Sequence, residues 1–345
     1  IVRAVNQGER IAILGDYDVD GVSSTAMLVL MLRRLGADPA HFVPRRLEEG
    51  YGLSMAALDR VLAEAKPSLF IALDCGTNSK PEVDRLKAEG VDVIVVDHHT
   101  AKEARVSCIL VNPRVNDAPE AAWQSLCTAG LVFKLVHGLL KVLRLAGDER
   151  GTQIQVKDYL DLAALGTIAD LVPLVAENRI LAAHGLRALG EARRPGVRAL
   201  IAVSGMEPGG VLTSVDVSYR IGPRINASGR LADASLPLKL LLSSSPADCE
   251  RDAAQLDAIN RERQEIDKRV TEEATAQAEA MGDLSGYVVH GDWHPGVVGI
   301  AAGKICRALD RPVIVLGKEG VVAKGSGRSV PGTNLVEALT ACADL

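Results

Sequence analysis

Aromatic residues are scarce in this chain: Phe, Trp and Tyr make up 3% of 345 residues. After core packing, few rings remain on which bases could stack, so any grip on a nucleic acid would rest on phosphates. Cysteines are few and scattered. Cys75, Cys108, Cys127, Cys249, Cys306 and Cys342 form no C-x-x-C pair. That argues against a thiolate zinc site and a disulfide framework, and it fits a reducing cytoplasm. No apolar run is long enough to span a bilayer. A basic excess is missing as well. The net charge of −5 does not mark a nucleic-acid binder, although a local basic groove is compatible with it. Hydrophobic residues at 48% and charged residues at 24% are ordinary for a globular protein, and the length suits about two domains. Ile1 lies just before the first apolar run and the chain stops at Leu345, which reads as a piece of a longer protein.

What the chain does have is three acidic or histidine-bearing clusters, each following an apolar run. Ile11–Leu14 leads into Asp16, Asp18, Asp20 and Gly21. Leu69–Leu73 leads into Asp74, Cys75, Gly76 and Thr77. Val91–Val96 leads into Asp97, His98 and His99. Short β-branched runs bounded by turn residues predict buried strands, and the intervening segments predict helices. That alternation implies an α/β fold with a parallel sheet, whose strand C-termini share one edge. Carboxylates and imidazoles gathered there would repel or desolvate at high cost unless a cation held them.

Further helices are predicted over 22–35, 54–65, 80–88, 122–145, 156–164 and 178–189, and a strand over 41–43. Gly166–Pro173 is expected to interrupt a helical pattern and present Asp170. Residues 245–281 read as a helix about 50 Å long with a thin apolar stripe (Leu256, Ile259, Ile266, Val270), suited to an exposed connector. Strands at 286–290 and 312–316, with a helix over 299–309, open a second α/β domain. The expected division is 1–245, the connector 246–282, and 283–345.

One D-x-D in a loop is usually a solvated turn or a helix cap, and a lone His-His pair is usually surface. Three such clusters on one sheet edge are a metal site. Oxygen ligands with one or two imidazoles suit Mn²⁺ or Mg²⁺, and two such ions can activate a water and clamp a phosphate.

Taken together, Asp16–Gly21, Glu49-Gly-Tyr-Gly52, Asp74–Thr77, Asp97-His-His99, Gly166–Asp170 and Arg220–Arg230 resemble the DHH phosphoesterase superfamily, and within it the bacterial single-strand-specific 5′→3′ DNA exonucleases. The resemblance covers essentially the whole chain. It implies a parallel-sheet DHH domain joined by the long helix to a smaller, C-terminally incomplete DHHA1-type domain. It also implies hydrolysis of single-stranded DNA to 5′-mononucleotides by a two-metal mechanism with a metal-activated water, in DNA repair and recombination. Asp18, Asp20, Asp74, His98 and Asp170 would ligate two Mn²⁺ (or Mg²⁺), Asp16 would stand beside them, and His99 would face the scissile phosphate. A monomer is expected, with a single-strand-binding protein and a helicase as natural collaborators. Members of this branch normally continue with a Gly-Gly-His segment and an OB-fold domain, neither of which is read within these 345 residues.

Substrate contacts are expected from several segments. Arg220, Arg224 and Arg230 crowd a glycine-containing loop with Asn226 and Ser228, a composition matching phosphate-backbone binding as well as a solvated basic loop. His294 precedes a helix N-terminus, and alone reads as a capping or packing histidine. Arg46, with Ser326 and Arg328 in a second small basic loop, would read the terminal 5′ phosphate by family analogy. Two competing functions are a DHH phosphodiesterase for small nucleotides or short oligonucleotides, and a non-catalytic scaffold. The first-motif spelling, which lacks the histidine usual in small-molecule relatives, counts against the former. The full ligand set counts against the latter.

Overall fold

A computed structural model of the chain describes residues 1–102, 105–118, 121–319 and 322–342. It divides into two compact units, Ile1–Asp257 and Ala258–Leu345.

The first unit is built on a five-stranded sheet in the order β2-β1-β3-β4-β5, formed by β1 (Ile11–Gly15), β2 (Ala40–Phe42), β3 (Leu69–Leu73), β4 (Asp92–Val96) and β5 (Ile109–Val111). Every pairing is parallel. Strands β1 and β3 are buried along their whole length. That is why their sequences are unbroken apolar runs without alternation. Ala12, Leu14, Phe70, Ala72 and Val95 pack on one face with Leu58, Val83 and Leu86 from the flanking helices. The strand order reverses between β1 and β3, where parallel sheets open a ligand crevice beyond their carboxyl ends.

Register carries the three clusters to that crevice. The ladder runs one residue past each strand: Asp16 N–H donates to Leu73 O, Asp74 N–H to Val96 O, and Asp97 N–H to Val111 O. The first acidic residue after each of β1, β3 and β4 is thereby locked to its neighbour.

The helix expected over 156–164 is a 3₁₀ turn, Val156–Tyr159, followed by an α-helix, Leu160–Ala169. The helix runs through Gly166 and stops within the expected segment, at its C-cap Asp170. The missing side chain of Gly166 lets helices approach, because a Cβ there would lie 2.5 Å from Ala129 Cβ and 2.9 Å from Asp20 Oδ1. The Arg220–Arg230 segment is also helical, with a π-helical turn over Val217–Ile221 running into the Gly222–Leu231 helix. Gly229 serves close packing, since a Cβ would fall 2.2 Å from the Tyr17 ring.

The Pro246–Ala280 helix buries more than the predicted thin stripe. Cys249, Asp252, Ala253, Leu256, Asp257 and Asn260 are buried in its first half, and Asp267, Val270, Ala274 and Ala278 in its second. Polar residues on that face carry partners: Asp257 binds Arg224 at 2.8 Å, and Asp267 binds Lys304 at 2.6 Å. Acidic residues read as solvent-facing are thus part of the packed side.

In the second unit, β6 (Tyr287–Gly291), β7 (Val313–Glu319) and β8 (Val322–Arg328) form a mixed sheet, parallel between β6 and β7 and antiparallel between β7 and β8. The Val298–Leu309 helix packs on it through Ala301, Ala302 and Ile305. Strand β8 occupies what the sequence reads as a small basic loop. Glycines at 325 and 327 permit close pairing rather than a turn: a Cβ at Gly325 would meet Leu316 Cδ2 at 2.3 Å.

Candidate metal centre

Asp18 caps the Val19–Arg34 helix, accepting from Gly21 N–H at 3.0 Å, while Asp16 accepts from Tyr17 N–H at 2.8 Å. This tight turn sends alternate carboxylates into the crevice. Asn226 Oδ1 accepts from Val19 N–H at 3.0 Å and so pins the turn from a helix about two hundred residues away in sequence. Asp74 sits in the left-handed region, φ 63°, a conformation that aspartate tolerates better than most residues.

The clusters converge. Ligand atoms of Asp16, Asp18 and Asp74 lie within 4.8 Å of one another, as do those of Asp20, His98 and Asp170, and those of Asp74, His98 and His99. Three carboxylate oxygens surround His98 Nε2: Asp74 Oδ1 at 3.4 Å, Asp170 Oδ2 at 3.7 Å and Asp20 Oδ2 at 3.8 Å. The opposite ring nitrogen, Nδ1, is buried and has no hydrogen-bond partner.

Electrostatics show a site short of positive charge. Burial, reinforced by the Asp18 charge, pushes Asp16 up to about 7 and Asp20 up to about 6. Burial, then the Asp20 charge, lifts Asp74 well above the carboxylate range and Asp170 to about 7. His98 is pushed down to about 4 by burial and by its neighbour His99, which leaves a neutral imidazole suited to ligation. Crowded carboxylates around a neutral imidazole nitrogen fit a hard divalent cation, because its charge would restore their ionised form.

Asp97 has a different task. Its Oδ1 accepts from His98 N–H at 2.7 Å and holds His99 Nδ1 at 2.7 Å, and its Oδ2 accepts from Thr77 N–H at 3.0 Å. Burial opposes its charge, but the His99 bonds and charge prevail and hold it well below the usual range. His99 rises in turn to about 9, chiefly through the bond it donates to Asp97. An anchored, cationic and half-exposed imidazole stands beside the carboxylates. Asn112 steadies the arrangement, donating to Thr77 Oγ1 and to His99 O, both at 2.9 Å.

Several residues therefore matter that sequence reasoning did not single out: Thr77, Asn112, Thr128 and the anchoring role of Asp97. Thr128 Oγ1 donates to Asp74 Oδ1 across 54 residues of sequence. A contact of that separation has no local signature. Gly166→Ala should disturb this centre, because its Cβ would press on both Ala129 and Asp20. The expected cost is about 1–3 kcal/mol of overpacking, read as a lowered midpoint in urea unfolding.

The expected substrate residues divide. Arg46 stacks on Tyr17 (5.4 Å to the ring centroid) and Tyr51 (4.6 Å), donates to Tyr51 Oη, and keeps Nη1 buried without a partner. Together with Arg45, Arg230 and Lys239 it lines a cavity of about 770 Å³. Arg220 donates to Gly205 O at 3.0 Å and pairs with Asp216 at 3.4 Å. Arg224 and Ser228 have partners within the fold. Arg224 is held by Asp257, Arg220 O and Val203 O, and Ser228 is fully buried and donates to Ile225 O. Both follow from the segment being helical, which turns these side chains inward. Asn226 supports the acidic turn as described. In the second unit, His294 Nδ1 accepts from Gly296 N–H at 3.0 Å. Arg328 donates to Ser326 Oγ at 2.8 Å, and both lie against Gly299 at the start of the Val298–Leu309 helix. Trp293 is a buried ring whose Nε1–H donates to Glu273 at 2.6 Å, so it offers no stacking platform.

A parallel sheet with this centre at its carboxyl edge is that of a DHH phosphoesterase domain, and residues 10–167 match the DHH family, N-terminal domain. The single-stranded-DNA-specific exonuclease RecJ of Bacillus subtilis is 39% identical over 350 residues, covering 100% of this chain and 43% of that protein. A crystal structure of exonuclease RecJ bound to manganese superposes with a TM-score of 0.84 at 35% identity, covering 98% of this chain and 82% of the other. RecJ of Thermus thermophilus in complex with Mn²⁺ gives a TM-score of 0.84 at 33% identity, covering 100% of this chain and 48% of the other, and its Mg²⁺ complex gives 0.74. The chain belongs to the RecJ branch of the DHH family. It spans about half the length of the curated relatives it matches.

Proposed function

We propose that this chain is a single-strand-specific 5′→3′ DNA exonuclease that releases 5′-mononucleotides in DNA repair and recombination. The convergence of Asp16, Asp18, Asp20, Asp74, His98 and Asp170 in one partly buried cluster carries the reading. Asp18, Asp20, Asp74, His98 and Asp170 would hold two Mn²⁺ (or Mg²⁺), with Asp16 beside them. Bound ions of this kind activate a water and neutralise the charge that develops on a phosphodiester. The chain's own groups do the rest. Asp97 keeps His99 protonated on a half-exposed ring, placed to stabilise the phosphate or give a proton to the leaving oxygen. Arg46 and Arg230, which line one cavity, would offer guanidinium groups to the strand's phosphates. Arg220, and Ser326 with Arg328 in the second unit, would add contacts, with His294 ordering its own turn.

Among the described residues no helix is long and apolar enough to cross a membrane, and all six cysteines are free. A cytoplasmic site of action on single strands is part of this reading. There a single-strand-binding protein and a helicase would be the natural collaborators of a monomeric enzyme.

Digestion of single strands labelled at either end tests the reading. With Mn²⁺, a 5′ label should appear first as a mononucleotide and a 3′ label last. Release from the 3′ end first, or hydrolysis confined to dinucleotides, would refute it.

A further inference from the structure

We infer that the first turn of the Thr128–Leu145 helix is a clamp that orients two metal-binding carboxylates, with the Thr128 hydroxyl as a positioning group. The inference rests on reading Asp20 and Asp74 as metal ligands. Three hydrogen bonds make the clamp. Thr128 N–H donates to Asp20 Oδ2 at 2.8 Å, Ala129 N–H donates to Asp20 Oδ1 at 2.7 Å, and Thr128 Oγ1 donates to Asp74 Oδ1 at 2.9 Å. All four residues are buried. The helix has no side-chain cap of its own at Cys127, so its orphan N–H groups are satisfied by Asp20 instead. Both Asp20 oxygens are held by the helix, and the carboxylate plane is thereby fixed.

Asp74 has no such pair of backbone donors from this helix. The last torsion of an aspartate is broad, and the Thr128 hydroxyl decides how this one is turned. Oδ1 is also the oxygen nearest His98 Nε2. A rotated Asp74 would leave the ion it shares with His98 without its proper oxygen. Groups that orient a metal ligand in this way typically carry 10–100-fold in metal affinity. The backbone donors survive substitution and the hydroxyl does not, so Thr128 isolates the Asp74 half of the clamp.

The test measures Mn²⁺ affinity of the full chain without DNA, from the EPR signal of free Mn²⁺ during titration. Thr128→Val keeps the shape and removes the donor; Thr128→Ser keeps the donor. The expected result is binding about ten- to a hundredfold weaker in T128V, and within about threefold of wild type in T128S. Thr128→Ala removes the same hydroxyl with less bulk and reads the same quantity should T128V fail to fold. Wild-type affinity in the variants lacking the hydroxyl would overturn the clamp, as would equal weakening in T128S, which would make packing the cause. A wild-type chain that takes up no Mn²⁺ would overturn the ligand reading itself, a separate failure.

Discussion

Asp74→Asn should reduce DNA hydrolysis by about 10³-fold or more, since removing a ligand forfeits several kcal/mol of metal-borne stabilisation. The same substitution should leave the metal-free protein at least as stable as wild type. Burial and the Asp20 charge raise the Asp74 pKa. A carboxyl raised in the folded state contributes stability below its unfolded value and loses it as pH rises toward and through the folded one, so at neutral pH and above the buried carboxyl opposes folding. Asparagine has the same shape, tolerates the positive φ, and carries no charge. Thermal unfolding in EDTA should therefore show an unchanged or higher midpoint for the variant while activity in Mn²⁺ collapses. Loss of activity together with loss of the metal-free fold would point to a structural carboxylate and against the assigned chemistry.

His99→Ala is the second large effect, with an expected loss in kcat of about 10²–10³-fold. The histidine contributes no binding energy to the core comparable to that loss, because more than half of its side-chain surface is exposed, at 55%. A pH signature identifies it. The bond that His99 donates to Asp97 raises the folded pKa from 6.5 to about 9. The stability it brings is therefore fully present below 6.5 and lost as pH rises through about 9. In EDTA, the stability gap between wild type and H99A should be widest near pH 6 and should shrink by pH 10. A gap that does not change with pH would mean that the Asp97–His99 pair is not charged as described.

The sheet was legible because β1, β3 and β4 are apolar runs ending in acidic turns, and parallel topology forces such ends together. The clustering of the candidate ligands was legible for the same reason: each lies just beyond a strand or, at Asp170, caps a helix. Period and punctuation misled where tertiary packing had the deciding role. The helix does end within 166–173, at Asp170, but Gly166 itself is a point of close helix approach that the pattern did not reveal. Arg224 and Ser228 looked exposed and are turned inward by a helix that glycines at 222 and 229 permit. Acidic residues on the long helix looked solvated, yet Asp257 and Asp267 are buried with cationic partners. Thr128 and Asn112 had no signature at all, since each acts on a ligand or motif residue distant in sequence.

A crystal soaked in Mn²⁺ and recorded at the manganese absorption edge tests the central claim most directly. The account predicts two anomalous peaks about 3.5–4 Å apart, bounded by Asp18, Asp20, Asp74, His98 and Asp170. An empty map there, or peaks only at other surface carboxylates, would contradict it.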